Sequence, residues 1–86
     1  MRLEGRIYRQ NRALREAVVD MPDPGGLRYV ELLDRTLIEL CHQLDVPLPI
    51  WLQKNTTEFV RFRQTIFFSG QFTEPVKFDR FQIRLL

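Results

Sequence analysis

A single cysteine, Cys41, leaves this chain of 86 residues without an internal disulfide. A domain of that size buries only about 60–65% of its unfolded surface, so packing or a partner must supply what cross-links do not. No apolar run approaches the roughly eighteen residues that a membrane-spanning helix needs. The opening Met1-Arg2-Leu3-Glu4-Gly5-Arg6 has no apolar stretch of the kind that drives secretion. Together with the lone Cys, this leads us to expect a reducing cytoplasm. Asn55-Thr56-Thr57 matches the glycosylation triplet, but in that setting the match is fortuitous. One His leaves little for acid–base or metal chemistry. Lysine is scarce as well, with two against eleven Arg. Arg makes planar, bidentate contacts and stacks on rings, so an Arg-heavy surface suits carboxylate, phosphate or aromatic partners.

The residues that are present are unevenly spread. All seven Phe (Phe59, Phe62, Phe67, Phe68, Phe72, Phe78, Phe81) fall in the last third. Arg2, Arg6, Arg9, Arg12 and Arg15 crowd the first fifteen positions. The C-terminal part is built to bury rings, and the N-terminal part to stay wet and positive. With 44% hydrophobic and 28% charged residues, the chain reads as one globular domain over 1–86. Its net charge of +2 is mild for a dedicated nucleic-acid binder.

Residues 2–19 read as a β-hairpin turning at Gln10-Asn11, since Asn tolerates the left-handed conformation of a tight turn. That loop sets Leu3 against Val18, Ile7 against Leu14, Arg6 against Arg15 and Tyr8 against Ala13. Met21-Pro22-Asp23-Pro24-Gly25-Gly26 breaks the pattern. Asp23 is placed to cap a helix with Pro24 in its first position. From Leu27 to about Leu44, Val30, Leu33, Leu37, Leu40, Cys41 and Leu44 recur with helical spacing. The prolines Pro47 and Pro49 end that helix, and Trp51 with Leu52 forms a turn packed back on the core. Asn55 and Glu58 resemble a capping box, predicting a second helix from about Thr56 to Gln64, then extended chain. Residues 59–68 also alternate as a strand would, leaving both readings open. Residues 76–86 alternate cleanly and predict a half-buried strand.

Few constellations point to chemistry. Cys41 and His42 are neighbours on a helix, about 100° apart, and cannot converge on one atom. The bland reading has Cys41 in the core and His42 at its boundary. Asp20 and Asp23 read as a turn and a cap. Gly25-Gly26 lacks the residues that complete a phosphate loop. The Phe residues interleaved with Arg61, Arg63, Arg80 and Arg84 read as core with an Arg-covered rim, or else as a stacking surface for single-stranded nucleic acid.

The expected fold is a two-layer α+β domain. A three-stranded antiparallel sheet, made of the N-terminal hairpin and the C-terminal strand, is covered on one face by a long central helix and a shorter one. The open face would carry Arg6, Tyr8, Arg15, Arg80, Gln82 and Arg84 as binding residues. The expected role is a non-enzymatic module binding a protein partner or a second copy. Nucleic-acid binding is the alternative, and a small-molecule enzyme a more distant one. We expect no catalytic residues, no metal, no cofactor and no membrane partner.

Overall fold

A computed structural model describes residues 1–86. Gln10 and Asn11 take left-handed backbone angles, with φ of 50° and 64°, and turn the chain between β1 (Arg2–Arg9) and β2 (Arg12–Asp20). Two such residues in succession match the twist of the strands they join. Tyr8 lies opposite Ala13 as expected, but the register then shifts. Leu14 has no partner, and Ile7 pairs with Arg15, Arg6 with Glu16, Gly5 with Ala17 and Leu3 with Val19. This β-bulge overturns the expected pairings of Arg6 with Arg15, Ile7 with Leu14 and Leu3 with Val18. Packing explains it. The shift sets buried Val19 beside buried Leu3 and small Ala17 beside Gly5, while Arg15 stays exposed and costs little opposite Ile7.

Helix α1 spans Tyr29–Leu44 and buries Leu32, Thr36, Leu37, Leu40, Cys41 and Leu44. It starts later than the sequence predicts, and Asp23 does not cap it. Asp23 Oδ1 instead accepts a hydrogen bond from the Gly25 amide at 2.9 Å. Gly25 and Gly26 are both left-handed, at φ 83° and 78°, so the chain is off the helical path until Arg28, itself extended, leads into Tyr29. Asp45, at φ 55°, closes the helix, its amide donating to the carbonyls of Cys41 and His42.

The ambiguous segment is both things in turn. Helix α2 runs over Gln53–Phe62, Arg63 at φ 57° redirects the chain, and β3 follows over Gln64–Phe68. This makes a fourth strand where three were expected. A short 3-10 turn at Ser69–Gln71 precedes β4 (Arg80–Leu85). The sheet is antiparallel throughout, in the order β2-β1-β4-β3. The fold is therefore α+β, with two helices on one face of a four-stranded sheet.

The helices sit over different halves of that sheet, α1 against β1 and β2, and α2 against β3. Gly5 is what brings α1 so close. A β-carbon there would stand 2.8 Å from Leu40 Cδ2 and 3.0 Å from both Leu44 Cδ1 and Phe81 Cε1. The core beneath is rich in rings: Phe59, Phe67, Phe72, Phe78 and Phe81 join Leu3, Ile7 and Ile83. Phe62 and Phe68 stay exposed.

One polar cluster lies inside this apolar layer. Asn55 is fully buried, and its Nδ2 donates to Thr65 Oγ1 at 2.8 Å and to the Ile66 carbonyl at 3.2 Å. Its Oδ1 accepts from the Leu52 amide and from Gln71 Nε2, each at 2.9 Å. Asn55 thus caps α2 from the helix's first turn, not as the residue before it. Glu58 is free for another task and accepts the Thr65 hydroxyl at 2.6 Å. Gln71 also donates to the Ile50 carbonyl at 3.1 Å and accepts from the Phe68 amide at 3.1 Å.

Two substitutions test these features by urea denaturation. Gly5→Val should lower stability by about 2 kcal/mol through overpacking under α1. Asn55→Ala should lower it by about 3 kcal/mol, since buried groups of Leu52, Thr65 and Gln71 lose a partner at once. A loss under about 0.5 kcal/mol in either case would contradict the packing described.

Candidate functional site

The bare face of the sheet is a grid set by the register. One row reads Ala13, Tyr8, Arg80, Phe68 across the four strands. The next reads Glu16, Arg6, Gln82, Ile66, and the third Val18, Glu4, Arg84, Gln64. Cross-strand partners share a face. Arg6, Tyr8, Arg80, Gln82 and Arg84 therefore stand together, as the alternation in β1 and β4 implies. Arg15 does not join them. It pairs with Ile7 and so belongs to the helix side, at an exposed margin of β2.

The charges on this face are largely answered within it. Arg6 Nε lies 3.5 Å from carboxylate oxygens of both Glu4 and Glu16. Arg84 Nη2 lies 3.6 Å from the same Glu4 oxygen. The Arg6 pKa is raised, first by the Tyr8 hydroxyl and then by the Glu4 carboxylate, so its charge is permanent. Arg80 differs. It enters no ion pair, stacks 4.4 Å above the Tyr8 ring, and reaches Asn11 Oδ1 at 3.4 Å. Beside it the Phe68 ring is 50% exposed, with the Lys54 ammonium 4.6 Å from its centre. Phe68 and Ile66 were not among the residues that sequence reasoning assigned to this face. The sequence predicts extended chain after Gln64, but no local signal places that chain in the sheet beside β4.

On the other side of the molecule the spread helices leave an apolar groove of about 440 Å³. Tyr29, Val30, Leu33 and Leu37 form one wall, Leu48, Pro49 and Trp51 the end, and Thr56, Phe59 and Val60 the other wall. Trp51 is half-buried. Its ring meets Phe59 and Phe67 edge-on at 5.9 and 5.5 Å, and its Nε1 donates to Thr56 Oγ1 at 2.8 Å. It packs on the core and faces the groove at once. Asp34 is the only charged residue lining it.

The two residues with reactive side chains point apart. Cys41 is buried in α1, whereas His42 is exposed, beyond the core boundary expected for it. Burial pushes the Cys41 thiol up to about 12, which keeps it protonated and a poor nucleophile near neutrality. No group of three or more His, Cys, Asp or Glu converges as metal ligands would. No helix is long and apolar enough to cross a membrane.

Neither a protein-family model, nor a curated protein, nor a solved structure matches this chain.

Cys41 should therefore label slowly with a thiol reagent in native protein and fast in denaturant. Its ionisation also links to folding. An acid whose folded pKa lies above the unfolded value near 9 stabilises fully below that pH. That contribution is lost as pH rises from about 9 towards about 12, and Cys41→Ala should flatten the decline. Rapid labelling of the folded chain would remove Cys41 from the core.

Proposed function

We propose that the protein is a non-enzymatic interaction module whose open sheet face binds a protein partner presenting an acidic group. The observation that carries this reading is the row Tyr8–Arg80–Phe68. Tyr, Phe and Arg are the residues that anchor protein interfaces. Arg80 is already held by the Tyr8 ring and Asn11, so little ordering entropy is lost on contact. As the Arg of this face that enters no ion pair, it is the one an external carboxylate would reach. Arg6, Gln82 and Arg84 supply a polar surround. The desolvated Cys41 thiol supports a non-enzymatic role. The lone Cys is consistent with a cytoplasmic setting.

Single-stranded nucleic acid is the second reading, favoured by the same two rings flanking an Arg. Glu4 and Glu16 weigh against it, because they face the same way and would repel a phosphate chain.

Capture from native lysate, with and without nuclease, separates the readings. Wild type and Arg15→Ala should retain the same protein after nuclease treatment. Tyr8→Ala combined with Arg80→Ala should reduce capture about tenfold or more, as loss of central anchors does. Circular dichroism should show the double variant folded, so that the lost capture reports on binding and not on unfolding. Capture that vanishes with nuclease and falls steeply with salt would favour nucleic acid. Undiminished capture by the double variant would remove this face as the site.

A further inference from the structure

The groove between the helices lies on the side of the molecule opposite the open sheet face and shares no lining residue with it. Its rim carries apolar side chains that folding does not explain. Val60 is 80% exposed and Val30 69% exposed, each on a helix. Exposed Val is a mediocre helix former, so neither core packing nor helix propensity accounts for either residue. Tyr29 and Leu48, beside them, are about half exposed. Apolar side chains gathered around a concavity, unlike scattered ones, mark a binding surface.

The charge pattern narrows the occupant. Along α1, Val30, Asp34 and Ile38 recur every four residues and so share one face. Asp34 enters no ion pair, although the chain carries eleven Arg. It stands as a lone carboxylate between two exposed aliphatic residues, on the wall of an otherwise uncharged groove. A trough walled by two helices fits a third, since helix-in-groove recognition reads side chains at spacings of three and four. We infer that this groove receives an amphipathic helix of a partner protein whose apolar stripe carries a Lys or Arg at its middle, paired with Asp34. The apolar residues fill the space over Trp51 and Phe59, and the cation supplies the register. A volume of about 440 Å³ accepts a few side chains of one helix edge, not a whole second domain.

Trp51 is the sole Trp, so its fluorescence reports on the groove directly. The probes are two synthetic amphipathic helical peptides with Leu at i, i+3, i+7 and i+8. They are identical except for Lys or Glu at i+4. Titrated into the full chain, the Lys peptide should shift Trp51 emission to the blue and saturate. The Glu peptide should bind roughly fivefold more weakly, as one partly exposed ion pair implies. Asp34→Lys should invert that order. Val60→Glu should weaken the Lys peptide about tenfold or more, with unchanged circular dichroism, because residue 60 lies in solvent. Equal affinity for the two peptides, or no saturable shift with either, overturns the proposal. So does hexylamine shifting Trp51 at the same concentrations as the peptide, which would mark a small-molecule pocket. A wild-type dimer by light scattering that Val60→Glu dissociates also overturns it, by assigning the groove to a second copy.

Discussion

An amide side chain with no access to water must find partners for its donors and its acceptor or leave unmet desolvation in the core. Asn55 finds them in three separate pieces of chain. It holds the amide of Leu52 before α2, the hydroxyl of Thr65 and the carbonyl of Ile66 in β3, and the amide of Gln71 in the 3-10 turn. Gln71 passes the connection on to Ile50. The short strand β3 lies at the edge of the sheet, where unpaired backbone groups invite other chains. The Asn55 amide takes up the Ile66 carbonyl there. The same bonds fix α2 against β3, and so decide where the second helix lies.

The rest of the helix layer follows from that placement. α1 is drawn to the other half of the sheet by Gly5, which lets Leu40 and Leu44 close onto β1. With α2 tied to β3 and α1 seated on β1 and β2, the two helices cannot also pack on each other along their length. The prolines of Val46-Pro47-Leu48-Pro49 bridge the gap, and Trp51 forms part of its floor. A domain this small is marginally stable, and one that leaves Val30, Leu48 and Val60 in water forgoes their burial. Any partner that covers them binds the folded state alone and raises its apparent stability by mass action.

Periodicity makes some of this legible in the sequence. The alternation of Arg80–Leu85 and the helical spacing of Leu37, Leu40, Cys41 and Leu44 each belong to one secondary structure, and both elements form there, although the strand expected over 76–86 begins only at Arg80. The turn at Gln10-Asn11 was readable because few residues accept its backbone angles. The extended chain after Gln64 was readable but its place in the sheet was not, because Phe59, Phe62 and Ile66 satisfy helical spacing while Ile66 and Phe68 satisfy the strand. Nothing local marks Arg63 as the joint. The bulge at Leu14 was hidden for a different reason. Its cause is non-local: α1 must meet Gly5 and Ala17, and hairpin pairing alone cannot know that. The same bulge moved Arg15 off the face where Arg6, Tyr8, Arg80, Gln82 and Arg84 meet. The groove was invisible too, since its walls come from three segments whose relative placement no local pattern sets.

The two candidate surfaces share a strand without sharing side chains. In β3, Phe67 is fully buried and meets Trp51 beneath the groove, while Phe68 lies half exposed beside Arg80 on the open face. Alternation along one strand thus serves the core and a surface with adjacent residues. The two surfaces also ask for opposite partners, since Arg80 lacks an anion and Asp34 lacks a cation. Because the sheet lies between them, a contact on one side need not displace a core residue on the other. The layered fold therefore permits two distinct partners at once, one laid flat on the strands and one set between the helices.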